Sequence, residues 1–229
     1  MNNEQSPQEQ VVDQPAAPVV ETAVYQMKVT MRHTRPPIWR RFLIRNDATL
    51  YELHLALQVV LGWRNTRLYQ FLIDGVSYSD SVTADDLGTK WGVQNGEVVH
   101  LHELVGGEKA KFLYIYNFGH YWEHELLVER MLPFQNGEQY PLCLKGKRAC
   151  PPEEVGGPMN YTLFLRSLAE GKRLPAKLSR DSRGFDPEAF DLAAVNEELK
   201  QIEWVSSLLR RTRGRPRPPI DKEARLRAN

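Results

Sequence analysis

Residues 24–45 read VYQMKVTMRHTRPPIWRRFLIR, and the conformation of this stretch decides which fold the remainder can join. Tyr25, Met27, Val29 and Met31 alternate with Gln26, Lys28, Thr30 and Arg32, the two-residue period of a strand with one buried face. HTRPP then breaks the alternation, because proline fixes its own φ and pushes the preceding residue away from helix. IWRRFLIR follows with β-branched and aromatic content, so the pair predicts a hairpin.

The residues after the hairpin change period. Thr49-Leu-Tyr-Glu52 has the spacing of a capping box, and Leu50, Leu53, Leu57 and Leu61 recur at helical intervals up to Gly62. This predicts an amphipathic helix over 50–61. YQFLIDGVSYS predicts a second hairpin turning at Asp74-Gly75. The expected class is therefore α+β, β-hairpins packed with helices, and the β-β-α-β order makes the N-terminal part β-grasp-like.

In the second half, EVVHLHEL, KFLYIYNF and WEHELLVER each read as strands, the last two joined by a turn at Gly119. PLCLKGKRACPPEEVGGPMNY reads as a loop dense in Pro and Gly, followed by a helix over about 161–169. A final helix is expected to open at Asp186-Pro187 and to carry Leu192, Val195, Leu199, Ile202 and Leu209 on one face.

Charge separates the ends from the middle. Residues 1–23 hold four acids and no base, and residues 210–229 hold eight bases and two acids, or +6. Removing +6 and −4 from the whole-chain charge of +1 leaves −1 for residues 24–209. Residues 1–22 lack apolar periodicity and are expected to be a disordered acidic tail, with a domain over 23–209 and a disordered basic tail over 210–229. The longest apolar runs are only a few residues, as in Val59 to Leu61, against the roughly 20 residues a membrane helix needs, so no membrane partner is expected. MNNEQSPQEQ has neither a basic nor an apolar signal region, which makes cytoplasmic the expected location.

Catalytic signatures do not emerge from the spacing. The sequence contains no Gly-x4-Gly-Lys-Ser/Thr loop, no His-Glu-x2-His and no Gly-x-Ser-x-Gly elbow. His100 and His102 lie two apart in an alternating segment and would share a strand face, while His120 and His124 flank Trp122. The two pairs together could form a metal site, or the histidines are exposed or hydrogen-bonded within the protein. Lys28 and Arg32 share one strand face, and Trp39, Arg41, Leu43 and Arg45 share a face of the next. Such a sheet surface suits phosphates and a stacked base, or it is a solvated or covered face.

The stretches VYQMKVTMRHTRPPIWRRFLI, LHLALQVVLGW, YIYNFGHYWEHELLVE, PLCLKGKRACPPEEVGGPMNY and FDPEAFDLAAVNEEL, in this order, resemble the Ri-plasmid orf-three-like family over about residues 24–200. Its members are also labelled transposon-passenger, TnpR-like proteins. The resemblance implies an α+β domain in a mobile-element setting, without an assigned reaction. No serine-recombinase or tyrosine-recombinase constellation accompanies that label here. The family pattern ACPPEDCGG further implies a Cys-x6-Cys-x4-Cys set, which with the WEH histidine would suit zinc. In this chain His124, Cys143 and Cys150 remain, but Val155 stands at the third cysteine position, so a metal would have to recruit Glu153, Glu154 or water. No resident cofactor is predicted, and zinc is the metal these residues would favour. The competing reading makes both cysteines small buried apolar groups.

The tail RRTRGRPRPP contains Arg213-Gly214-Arg215-Pro216, which resembles an AT-hook core, with Arg217 beside it. Glycine lets the backbone approach a groove floor, proline keeps the segment extended, and arginines enter the negative potential of a narrow minor groove. The expected function is an accessory or binding module with weak contact to A·T-rich double-stranded DNA through this tail. The alternatives are a metal-dependent hydrolase or nuclease using His124, Cys143 and Cys150, and a protein-interaction module acting through the last helix. Pairing of the basic tail with the acidic N-terminus competes with DNA.

Overall fold

The alternation at 25–31 becomes strand β1 (Ala23–Met31) in the computed structural model, which describes residues 22–172 and 184–202. Tyr25, Met27, Val29 and Met31 are buried, while Gln26, Lys28 and Thr30 are half-buried on the opposite face. β1 pairs with β2 (Trp39–Arg45) across the HTRPP turn, in the register Lys28 to Arg41 and Thr30 to Trp39. Helix α1 (Leu50–Leu61) begins at a complete capping box: Thr49 Oγ1 accepts from Glu52 N, and Glu52 Oε2 accepts from Thr49 N. It stops at Gly62, whose φ of 70° is a conformation glycine adopts without a Cβ penalty.

Strands β3 (Tyr69–Ile73) and β4 (Val76–Ser79) form the second hairpin. Helix α2 (Ser81–Trp91) starts where Asp80 Oδ1 accepts from Thr83 N, and short strand β5 (Gln94–Asn95) pairs parallel with β4. After helix α3 (Leu101–Leu104) come β6 (Lys111–Tyr116), β7 (Trp122–Pro133) and β8 (Leu142–Lys147). The eight strands lie in the order β5-β4-β3-β6-β7-β1-β2-β8. The class is α+β with the chain order β1-β2-α1-β3, and β7, not β3, is the second neighbour of β1.

Helix α4 (Pro158–Ala169) and helix α5 (Leu192–Gln201) complete the described elements. The core joins inward strand residues such as Met27, Phe42, Phe71 and Tyr114 to Leu53, Ala56 and Leu57 of α1 and to Tyr161, Phe164 and Leu199 of α4 and α5. Edge strand β8 is covered by a side chain that imitates a strand. Asn196 Oδ1 accepts from Cys143 N at 2.8 Å, and Asn196 Nδ2 donates to Cys143 O at 3.0 Å. This satisfies backbone groups that an open edge would leave for another chain.

Four sequence expectations are corrected. EVVHLHEL is not a strand: Leu101 N and His102 N donate to Ala48 O and Asn46 O, and the chain then turns into α3, so the two histidines do not share a strand face. LCLKGK is a strand within the expected loop, because β2 offers it an unpaired edge. α4 opens three residues early, at Pro158, where the missing N–H costs nothing. Asp186-Pro187 forms a turn instead of a helix start, and Asp191 caps α5 by accepting from Ala194 N. Leu209 lies outside the described residues.

Candidate functional site

The segment ACPPEEVGG is clamped against the end of α1 and the β6–β7 turn. Glu153 is buried, and its carboxylate accepts from Tyr116 Oη at 2.9 Å, Arg64 N at 3.0 Å and Arg64 Nε at 3.0 Å. Burial first, and then the neighbouring carboxylate, push the Tyr116 hydroxyl up to about 12. Trp63 Nε1 donates to Pro151 O, His120 Nδ1 lies 3.2 Å from Glu153 O, and Arg67 pairs with Glu154. Both acids proposed as recruits for a metal are therefore held by arginines.

Arg40 secures the other end of the segment. Its buried guanidinium donates from Nε to Val60 O, from Nη1 to Trp39 O and Lys147 O, and from Nη2 to Arg148 O and Cys150 Sγ. No carboxylate is among these acceptors. The charge is dispersed over carbonyl dipoles, and Phe190 lies over the guanidinium plane. Cys150 thus accepts a hydrogen bond, and burial pushes its thiol up to about 11. Cys143 is buried on β8 opposite Phe42, and burial also pushes its thiol up to about 11. A thiol in that range stays protonated at neutral pH in the metal-free protein.

His124 sits on the inward face of β7, fully buried among Trp63 and Tyr114. Its Nδ1 donates to Tyr114 O, its Nε2 has no partner, and burial pushes its pKa down to about 4. Among the described residues no three His, Cys, Asp or Glu side chains gather into a metal-holding group, so His124, Cys143 and Cys150 do not form the set expected from the sequence. Val155 is itself a core residue, filling with a side chain the position where the resemblance implied a thiol.

A buried polar network next to this region carried no sequence signal beyond the i, i+4 spacing of His54 and Gln58. Tyr114 Oη accepts from Gln58 Nε2 at 2.8 Å and so donates to His54 Nδ1 at 2.9 Å. His54 then carries its proton on Nε2 and donates to Asn65 Oδ1. The ring of His54 stacks on Tyr69 at 3.6 Å. Every group has a partner, which marks the network as structural.

The outward sheet face is different. Gln26, Arg41, Lys109, Leu127, Glu129 and Arg130 line an open groove of about 560 Å³. The register shift between Gln26 and Met27 leaves Glu129 as an extra residue of β7, and this bulge turns its carboxylate onto Arg41. The Arg41 hydrogen bond holds Glu129 below the usual carboxylate range. Beside the groove, Lys28 Nζ stands 5.3 Å and Arg41 Cζ 5.5 Å from the Trp39 ring centre. β8 adds Lys145 opposite Arg41 and Lys147 opposite Trp39. Lys28, Arg41, Lys145 and Lys147 thus lie around Trp39, and Lys109 and Arg130 line the groove together with the Glu129 carboxylate. The expected partners Arg32 and Arg45 are neutralised at its borders by Glu123 and Asp47. Arg213, Gly214, Arg215, Pro216 and Arg217 lie outside the described residues.

Comparison with known proteins bears on the same elements. The crystal structure of MM3350, a protein of unknown function from Methanosarcina mazei Go1, matches with a TM-score of 0.60 and 26% sequence identity, covering 76% of this chain and 97% of that one. The uncharacterized protein y4hQ of Sinorhizobium fredii (strain NBRC 101917 / NGR234) is 31% identical over 196 residues, 83% of this chain and 98% of the relative. A family model described as plasmid pRiA4b ORF-3-like protein matches residues 23–194, which takes in the hairpin, the clamped ACPPEEVGG segment and the start of α5. By that match the chain belongs to the plasmid pRiA4b ORF-3-like family.

Proposed function

We propose that this chain is a cytoplasmic binding module for DNA, not a hydrolase, and that it engages the phosphate backbone through the outward face of β1, β2, β7 and β8. One observation carries the reading: Lys28, Arg41, Lys145 and Lys147 gather beside Trp39, and Lys109 and Arg130 line the adjoining groove, on one sheet face of a domain whose residues 24–209 carry a net charge of −1. Concentrating cations on one face of a near-neutral body favours a polyanion there, and the attraction is independent of base sequence. The Arg213-Gly214-Arg215-Pro216 tail adds an A·T preference in the minor groove. A mobile-element setting would supply such DNA.

The test is fluorescence anisotropy with A·T-rich and G·C-rich duplexes at two salt concentrations. It compares the whole chain, a chain ending at Leu209, and a whole chain carrying Lys145→Glu and Lys147→Glu. The whole chain is expected to bind A·T-rich duplex more tightly. Truncation should remove the preference and leave weak binding, and the lysine changes should weaken both duplexes alike. If about five phosphates are neutralised, log K falls against log salt with a slope of about −4 to −5. Failure of the whole chain to bind either duplex at low salt would overturn the proposal.

A further inference from the structure

Helices α1, α4 and α5 pack against the inward face of the sheet and bury its alternate residues, such as Met27 and Phe42. On the opposite face Lys28, Thr30, Trp39, Arg41 and Arg45 keep part of their surface in solvent. Trp39 belongs neither to the core nor to the apolar groups packed against it. Its ring instead has cations for neighbours, Lys28 Nζ at 5.3 Å and Arg41 Cζ at 5.5 Å from its centre, with Lys147 opposite on β8. Six residues further along β2, about 20 Å in a strand, Arg45 Cζ stands 5.1 Å from the ring centre of Phe134. Glu123, Glu125 and Glu129, the carboxylates that β7 places on this face, pair with Arg32, Lys111 and Arg41.

Cations alone suffice to hold the phosphates of a duplex. A ring set among them adds affinity for the flat face of a base, and base faces are open only where a strand is unpaired, since in a duplex the neighbouring pairs cover them. We infer that this face takes single-stranded DNA, with one base stacked on Trp39 and the adjoining phosphates on Lys28, Arg41, Lys145 and Lys147. This narrows the DNA-binding reading of the face, on which it rests, to an unpaired strand. Stacking exchanges one of the two cation–π contacts for a base, and the displaced cation moves onto a phosphate. The exchange is favourable because a base on an aromatic ring is held more strongly than a solvated cation over one. Every base has such a face, so the selection is for strandedness and not for sequence.

The test is fluorescence anisotropy at low salt with the whole chain and one mixed-sequence, non-self-complementary strand, offered alone and annealed to its complement. The strand alone is expected to bind. Trp39→Ala should weaken that binding by about tenfold and change the annealed form by less than about twofold. Trp39→Phe keeps a ring and should retain most of the affinity. Lys145→Glu with Lys147→Glu should weaken both forms, because both present phosphates. If the duplex binds and the strand alone does not, or if Trp39→Ala affects the two forms alike, the inference is overturned and the DNA-binding reading stands. If neither form binds, both fall. A strand carrying 5-iododeoxyuridine, irradiated in complex with the unaltered chain, is expected to crosslink at Trp39. Crosslinks found only elsewhere would overturn the inference even where a variant fails to fold.

Discussion

The guanidinium of Arg40 stands 4.1 Å from the ring centre of Phe190, 150 positions further along the chain, and so joins the end of β8 to the residues just before α5. The same guanidinium gives each of its donors to a carbonyl or to Cys150, so a lysine cannot replace it. An ammonium is a point charge with three donors and would leave several carbonyls without partners. Arg40→Lys is expected to cost about 3 kcal/mol in urea unfolding with an unchanged m value. A loss below about 1 kcal/mol would show that solvent replaces the guanidinium freely.

His124 makes stability depend on pH. Its folded pKa of about 4 lies below the ordinary 6.5, so the unfolded chain takes up the proton first as pH falls. The stabilisation is whole above about pH 6.5, declines between 6.5 and 4, and is lost below that, by roughly 3 kcal/mol in total. Denaturant unfolding at a series of pH values should show this decline, and His124→Phe should remove most of it. An unchanged slope in that variant would assign the pH dependence to other groups.

Gly157 precedes α4 with a φ of 95°, and a Cβ built there would lie 2.8 Å from His120 O. Both the backbone conformation and the backbone oxygen oppose a side chain. Gly157→Ala should therefore lower stability by about 2 kcal/mol or more and loosen the clamped segment. Gly171→Ala, with φ of 62° and open space around its Cβ, should cost only the conformational part, about 1 kcal/mol. Equal melting shifts for the two would contradict the role given to the His120 contact.

Asn196 pairs with both backbone groups of Cys143. Asn196→Asp keeps the shape and the acceptor but removes the donor to Cys143 O and sets a carboxylate oxygen against it. The expected cost is about 1–2 kcal/mol, with faster amide hydrogen exchange in β8 and α5 and little change in β6 or β7. Uniform protection across the sheet would show that the edge is held by other contacts.

Glu129 is the carboxylate of the basic groove beside Trp39. Glu129→Gln frees Arg41 and should tighten DNA binding by about threefold, for A·T-rich and G·C-rich duplexes alike, with a steeper salt slope. Weaker binding would mean that the Arg41–Glu129 pair shapes the surface more than it neutralises it.

Much of the local structure was legible because short-range rules sufficed. The alternation at 25–31, the capping box at Thr49 and Glu52 and the stop at Gly62 each depend on neighbours within a few residues, and each appears where it was read. EVVHLHEL was misread as a strand because alternation describes a half-buried face without naming its partner, and the partner turned out to be residues 46–50. β8 was missed for the complementary reason: LCLKGK is a strand only because β2 has a free edge beside it.

By itself, then, the sequence determined the α+β class, the hairpin, the first helix, the family and the separation of charge between the ends and the middle, all properties of composition, of spacing along the chain or of residues close together in it. Only the tertiary structure decided what the chemically suggestive residues do. Burial protonates Cys143 and Cys150 and leaves His124 neutral, while strand pairing gathers Lys28, Arg41, Lys145 and Lys147 around Trp39. Protonation and the grouping of charge depend on solvent exclusion and on which chain-distant groups become neighbours, and neither is written in linear spacing.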